Sequence, residues 1–207
     1  MAHMIDHPCV QHKLAIIRDA ETGHKRFREL ATEITMFICY EALKNVRTQE
    51  VTVQTPVAEA NCRKLATDLV VVPILRAGVG MLDGILELVP TARVGFVGLY
   101  RDEETKLPVT YYERFPPQIK GGTCIIIDPM LATGGSTAAA IEKLKEKGAE
   151  DIIVVCIVTC PEGVALVESE HPDVPIYAAS IDEKLNENKY IVPGLGDAGD
   201  RLFGTTH

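Results

Sequence analysis

Five stretches of the chain are unbroken runs of β-branched and other apolar residues: 69–74 (LVVVPI), 94–99 (VGFVGL), 123–128 (TCIIID), 152–159 (IIVVCIVT) and 174–181 (VPIYAASI). A strand with one face in water alternates apolar and polar residues, whereas runs without alternation are buried on both faces. Helical stretches lie between them at 80–88, 136–147 and 163–170, and Gly148 stands where the second of these should stop. Strands covered on both faces by intervening helices make a mostly parallel, doubly wound α/β sheet. Ahead of the first run, Phe27, Leu30, Ala31, Ile34, Phe37 and Ile38 recur at three- and four-residue steps. They predict a long amphipathic helix over 22–44, inside an N-terminal helical region of about 10–46.

A chain of 207 residues has room for one such sheet, so a single domain over 1–207 is expected. The net charge of −8 lacks the basic signature of general nucleic-acid binding, and no nucleic-acid partner is expected. No segment approaches the ~18 consecutive apolar residues of a membrane span, and the start lacks the apolar core of a secretory signal. The expectation is a cytoplasmic protein without a membrane partner. Cys9, Cys39, Cys62, Cys124, Cys156 and Cys160 are scattered, several of them inside apolar runs, and are expected to be reduced core residues. Cys156 and Cys160 have no second pair or nearby histidine to complete a metal site. The histidines His3, His7, His12, His24, His171 and His207 show no metal spacing either. Residues 1–4 (MAHM) are read as partly a cloning remnant and given no functional weight.

The most informative stretch is 123–137, TCIIIDPMLATGGST: a buried strand, an acid at its end, then Thr-Gly-Gly-Ser-Thr opening a helix. Ligands of open α/β sheets bind at the carboxyl ends of strands. The helix start offers free amides and the positive end of its dipole, and Gly134 and Gly135 allow a phosphate to approach. Thr133, Ser136 and Thr137 add hydroxyl donors, and Asp128 is suited to ribose hydroxyls or to positive charge on the ring. A tight turn capped by Asp128 is the structural alternative. The lysine and spacing of a nucleoside-triphosphate loop are absent, as is the dinucleotide glycine fingerprint. Arg76 and Arg101 each follow a strand end, where a pair of guanidinium forks makes a polyanion site; singly, each could be a surface charge. Two further segments break the strand–helix rhythm. Residues 102–122 carry Pro108, Pro116, Pro117 and LPVTYYE, and are expected to be a protruding lid or a subunit arm. Residues 190–204 (YIVPGLGDAGDRLFG) are glycine-rich and read as neither helix nor strand in their middle part. Gly194, Gly196 and Gly199 would let backbone groups approach a small ligand, though a plain surface loop fits equally well.

The stretch IIIDPMLATGGST resembles the phosphoribosyl pyrophosphate motif of type I phosphoribosyltransferases, and its Asp-Pro pair resembles the uracil phosphoribosyltransferase family. HPCVQHKLAIIRD, FRELATEI, VVPILRAGVGMLDGI, LYRDEET, TCPEGV and YIVPGLGDAGDRLFGT resemble successive blocks of that family, from His7 onward. Cys9, where a larger apolar residue is expected, and the weak match over 57–67 are the departures. The resemblance implies a type I phosphoribosyltransferase fold with a small C-terminal base-binding hood. It implies a donor site of Arg76, Arg101, Asp128, Pro129, Met130, Leu131, Ala132, Thr133, Gly134, Gly135, Ser136 and Asp197, with Arg76, Arg101 and Asp128 catalytic. It places uracil against Ile191, Gly196, Asp197 and Ala198 in the tail, 190–204. Mg²⁺ is implied as cofactor, held mainly by the substrate and by Asp197 at most. Phosphoribosyl pyrophosphate and uracil are the implied partners, GTP a candidate activator, and a homodimer or higher homo-oligomer the implied assembly. The implied reaction is pentosyl transfer to N1 of uracil, giving UMP and pyrophosphate in pyrimidine salvage. An RNA-binding pyrimidine-operon regulator of the same fold, or an enzyme for another base, are the alternatives.

Overall fold

The computed structural model describes residues 2–101 and 108–205. The chain opens with a short strand β1 (Ala2–Met4), followed by α1 (Pro8–Arg18) and α2 (His24–Ala42). Helix α1 starts cleanly because Pro8 needs no amide partner in the first turn and His7 Nδ1 accepts from the Cys9 amide at 3.1 Å. Helix α2 buries Phe27, Leu30, Ala31, Ile34 and Ile38 on one face, as the spacing predicts. A hairpin of β2 (Thr48–Gln54) and β3 (Glu59–Leu65) follows, its strands pairing only with each other. Then come β4 (Leu69–Leu75), α3 (Val79–Leu88), β5 (Arg93–Val94), β6 (Phe96–Arg101) and β7 (Pro108–Arg114). The second half contains β8 (Thr123–Ile127), β9 (Met130–Leu131), α4 (Gly135–Glu146), β10 (Asp151–Thr159) and α5 (Pro161–Glu170). It closes with β11 (Ile176–Ile181), β12 (Lys184–Leu185), β13 (Ile191–Val192) and α6 (Ala198–Phe203).

The main sheet runs β1-β11-β10-β8-β4-β6-β7, parallel except for β7 at the edge. Successive residues of each strand point to opposite faces, so each apolar run feeds two cores. In β8, Ile125 and Ile127 join the core under α1, α2 and α3, while Cys124 and Ile126 join the core under α4 and α5. The unbroken runs in the sequence are the consequence of this two-sided burial. Gly148, at φ +92°, ends α4 where expected.

Two expectations change, those for the cysteines and for residues 1–4, and two segments gain detail. Residues 108–114 of the expected lid or arm form the antiparallel edge strand β7, paired with β6; residues 102–107 lie outside the described residues. The tail is irregular over 193–197, its middle part, as expected, and it ends in a helix, α6, whose turn is capped by Asp197. Cys9 and Cys62 are exposed, one at the start of a surface helix and one on the polar hairpin; Cys39, Cys124, Cys156 and Cys160 are buried. Ala2–Met4, set aside as partly a cloning remnant, pairs in parallel with Ile176–Ala178 of β11. No helix among the described residues is long and apolar enough to cross a membrane.

Candidate active site

Strands β8, β4 and β6 lie side by side, so their carboxyl ends form one rim. Ile127 pairs with Pro73, and Leu75 with Gly98, which puts Asp128, Arg76 and Arg101 at that rim on three neighbouring strands. Connections leave the rim in both directions here, toward β6 and toward β10, which is where open sheets leave a crevice. Arg101 closes β6; its side chain lies outside the described part of the structure.

The segment after β8 is held down by its neighbours. Pro129 O accepts from the Ile157 and Val158 amides at 3.0 and 3.1 Å. Met130 and Leu131 pair with Val158 and Thr159 as β9, Leu131 is buried, and its carbonyl accepts from Thr159 Oγ1 at 2.9 Å. The Ala132 carbonyl is taken by Cys160 Sγ at 3.2 Å. Residues 129–132 thus form a fixed frame, and the chain faces the crevice from Thr133 onward. Gly134 is left-handed, φ +86°, and a Cβ there would stand 2.8 Å from Gly163 O and 3.0 Å from Leu166 Cβ. Its glycine requirement is therefore contact with α5 rather than clearance for a ligand. Gly135 is different: a Cβ there meets only Thr133 Oγ1, at 3.9 Å. No side chain caps the first turn of α4, Ser136 is exposed and Thr133 half-buried, which leaves amides and hydroxyls for an anion. Thr137, one residue further, is buried.

Asp128 sits among apolar strand ends, and burial pushes its carboxyl up to about 7 against the opposing effect of the Met130 amide, 3.5 Å from Oδ1. An acid poised near neutrality in a crevice is a marker of chemistry. Arg76 is 65% exposed, with Nη2 3.9 Å from Asp200 Oδ1 on α6. That contact brings the tail to the rim: Asp197 caps α6 by accepting from the Asp200 amide at 2.9 Å, and Gly199 lies beside Ala77 and Arg76. Ile191 and Ala198 have buried side chains, so only their backbone can meet a ligand, while Gly196 and Asp197 are exposed. Among the described residues no three metal-ligating side chains converge. Three arginines, Arg201 within the tail and Arg18 and Arg28 outside it, fix the tail to α1 and α2. Arg201 stacks over Phe27 at 4.4 Å and donates to Leu195 O at 2.8 Å, Arg28 donates to Leu202 O at 2.7 Å, and Arg18 donates to Gly194 O at 2.9 Å. Sequence reading missed these anchors; the only signal was basic residues within otherwise amphipathic helices.

A parallel sheet with a strand-end acid, a glycine-opened helix and an arginine turn on the neighbouring strand defines the type I phosphoribosyltransferase class. A hypoxanthine-guanine phosphoribosyltransferase of Bacillus anthracis shares this fold at TM-score 0.53 and 12% identity, over 77% of this chain and 80% of that one. A solved protein of Aquifex aeolicus matches much more closely, with TM-score 0.94 and 38% identity over 100% of this chain and 99% of its own. The uracil phosphoribosyltransferase family model matches residues 4–205. The uracil phosphoribosyltransferase of Symbiobacterium thermophilum is 56% identical over 203 residues, 98% of this chain and 97% of that protein. The chain belongs to the uracil phosphoribosyltransferase family.

Proposed function

We propose that the chain transfers the 5-phosphoribosyl group of phosphoribosyl pyrophosphate to N1 of uracil, forming UMP and pyrophosphate in pyrimidine salvage. The observation that carries the reading is the meeting, at one rim, of the uncapped start of α4, Asp128, and the glycine-rich tail. In this reading the amides and hydroxyls of 133–136 hold the 5′-phosphate, framed by 129–132. Asp128 orients the ribose and favours positive charge as the bond from C1′ to pyrophosphate breaks. Pyrophosphate leaves with the electron pair, N1 of uracil forms the new bond to C1′, and the N1 proton is released. Arg76 and Arg101 neutralise the leaving charge. Backbone groups of Ile191, Gly196 and Ala198 read the base, with Asp197 toward the ribose.

Among the described residues Asp128 at the rim and Asp197 in the tail belong to no cluster of three metal-ligating side chains, which suits Mg²⁺ that arrives on the substrate. Such an ion would make pyrophosphate a better leaving group.

The chain works as one unit in this reading, in the cytoplasm, a setting supported by its free cysteines. A homodimer or higher homo-oligomer is supported by two features. The β2–β3 hairpin stands without a sheet partner, which a two-stranded element seldom tolerates alone. An apolar groove of about 810 Å³ lies between β1 and α2, lined by Met4, Met36, Phe37 and Tyr40. Light scattering tests this; a monomer at micromolar concentration overturns it. The family resemblance is what supports GTP as activator.

The deciding experiment follows labelled uracil to UMP with phosphoribosyl pyrophosphate and Mg²⁺, beside cytosine, orotate, hypoxanthine and adenine, with and without GTP. Product from uracil alone is expected. Folded protein that binds the donor yet converts no base overturns the reading.

A further inference from the structure

The tail loop is gripped at its turning point by two residues that lie outside the rim. Arg18 is the last residue of α1, and Asp182 the first beyond β11. Arg18 Nη1 and Nη2 donate to Asp182 Oδ2 and Oδ1 at 2.7 and 2.6 Å. The same carboxylate accepts from Ser180 Oγ at 2.7 Å and from the Gly194 amide at 2.9 Å, which fills all of its acceptor positions. Arg18 Nη1 also donates to the Gly194 carbonyl at 2.9 Å. One ion pair therefore holds both the N–H and the C=O of Gly194, two residues ahead of Gly196.

A carboxylate with every lone pair used, locked to a planar guanidinium fork, has one orientation, and the Gly194 peptides inherit it. The turn itself admits only glycine: φ is +63°, and a Cβ would strike the Ile191 carbonyl. The Asp182 side chain is 2% exposed and that of Arg18 23%, so the carboxylate end of these bonds is shielded from water.

We propose that Arg18 and Asp182 are positioning residues for base recognition, setting the path of 194–197 so that its backbone groups face uracil. The proposal rests on the reading of the tail as the base-binding element. The pair touches neither the α4 loop nor Asp128 and reaches the donor only through Asp197 at the end of the same loop, so it governs affinity for uracil more than for the donor.

The test is steady-state kinetics with uracil and phosphoribosyl pyrophosphate varied separately. Removing one partner leaves a buried unpaired charge and endangers the fold, whereas removing both leaves no charge and frees only the Gly194 N–H and C=O and the Ser180 hydroxyl. The key variant is therefore the double replacement Arg18→Met with Asp182→Leu, beside Arg18→Lys, which keeps the charge but loses the fork. The expected result is a KM for uracil raised by about tenfold or more, a donor KM raised by clearly less, and a cooperative unfolding transition retained in the double variant. Arg18→Lys should show a smaller rise with the same selectivity. An unchanged uracil KM in the folded double variant, or equal loss for both substrates, overturns the proposal; if the double variant does not fold, Arg18→Lys decides by the same criteria. Gly196→Val serves as control. If it raises the uracil KM and the pair variants do not, the positioning role alone falls. If none of them moves it, the reading of the tail falls as well.

Discussion

The Arg76 guanidinium lies 3.9 Å from the Asp200 carboxylate, joining the turn after β4 to the C-terminal helix α6. Asp200 is anchored by Thr205 Oγ1 at 2.6 Å, while Arg76 is mostly exposed and has no other ion-pair partner among the described residues. A weak contact of this kind is easily exchanged for phosphate oxygens. Arg76→Ala should raise the donor KM about 10- to 100-fold, the range for lost charge-assisted hydrogen bonds. Its unfolding midpoint should stay within a degree or two, since an exposed pair is worth at most about 1 kcal/mol. Donor titration and a thermal melt check both halves; an unchanged donor KM removes Arg76 from the pyrophosphate site.

Asp128 links activity and stability with opposite signs. Burial raises its carboxyl to about 7 in the fold, against 3.8 for an ordinary aspartate. The folded state therefore holds a proton that the unfolded chain has lost between those values, and stability falls as pH rises from 3.8 through about 7. Asp128→Asn removes that liability. The variant should melt higher than wild type at pH 8, by about 1–4 kcal/mol, and match it near pH 4. Its turnover should drop about 100-fold or more, because the charge facing the ribose is gone. In the wild type, kcat/KM for the donor should rise with pH through about 7 and lose that limb in the variant. A variant that is fully active, or less stable at pH 8, contradicts this account.

What was legible in the sequence was contiguous or doubly buried. The runs around Val71, Ile126 and Val155 carry their burial in their composition, and 123–137 carries strand, acid and helix start in one stretch. The hairpin of β2 and β3 was not legible, because TQEVTVQ and EANCRKL expose most of their side chains and bury no continuous face. Strand β7 was masked by the prolines that flank it. The Arg18–Asp182 pair spans 164 residues, and nothing local marks either partner. Gly134 was legible as a glycine that must be one, but the reason, the backbone of α5, exists only in the fold.

The thiols test the packing directly. Cys9 and Cys62 are exposed, while burial pushes Cys39 and Cys124 up to about 12 and raises Cys156 and Cys160 as well. Ellman's reagent at pH 8 should release colour rapidly in native protein from Cys9, and from Cys62 where no second copy covers the hairpin, and from the remaining four only with denaturant. Fast reaction of a third thiol without denaturant would show that one of the two cores is open.

The adjacent glycines of the α4 loop should respond in opposite ways to the same methyl group. At Gly134 an alanine must hold φ at +86° and press on Gly163 O, so Gly134→Ala should lose about 1–3 kcal/mol and affinity with it. At Gly135, the first residue of α4, the space beside Thr133 Oγ1 is open and no positive φ is required. Alanine favours a helix over glycine by up to about 1 kcal/mol, so Gly135→Ala should be as stable as wild type or more so. Its methyl would nevertheless stand where a phosphate must approach the first-turn amides, and donor affinity should fall about tenfold or more. Calorimetry and donor titration on both variants separate the two effects. Equal donor affinity in Gly135→Ala and wild type would mean that the phosphate does not sit on this helix start.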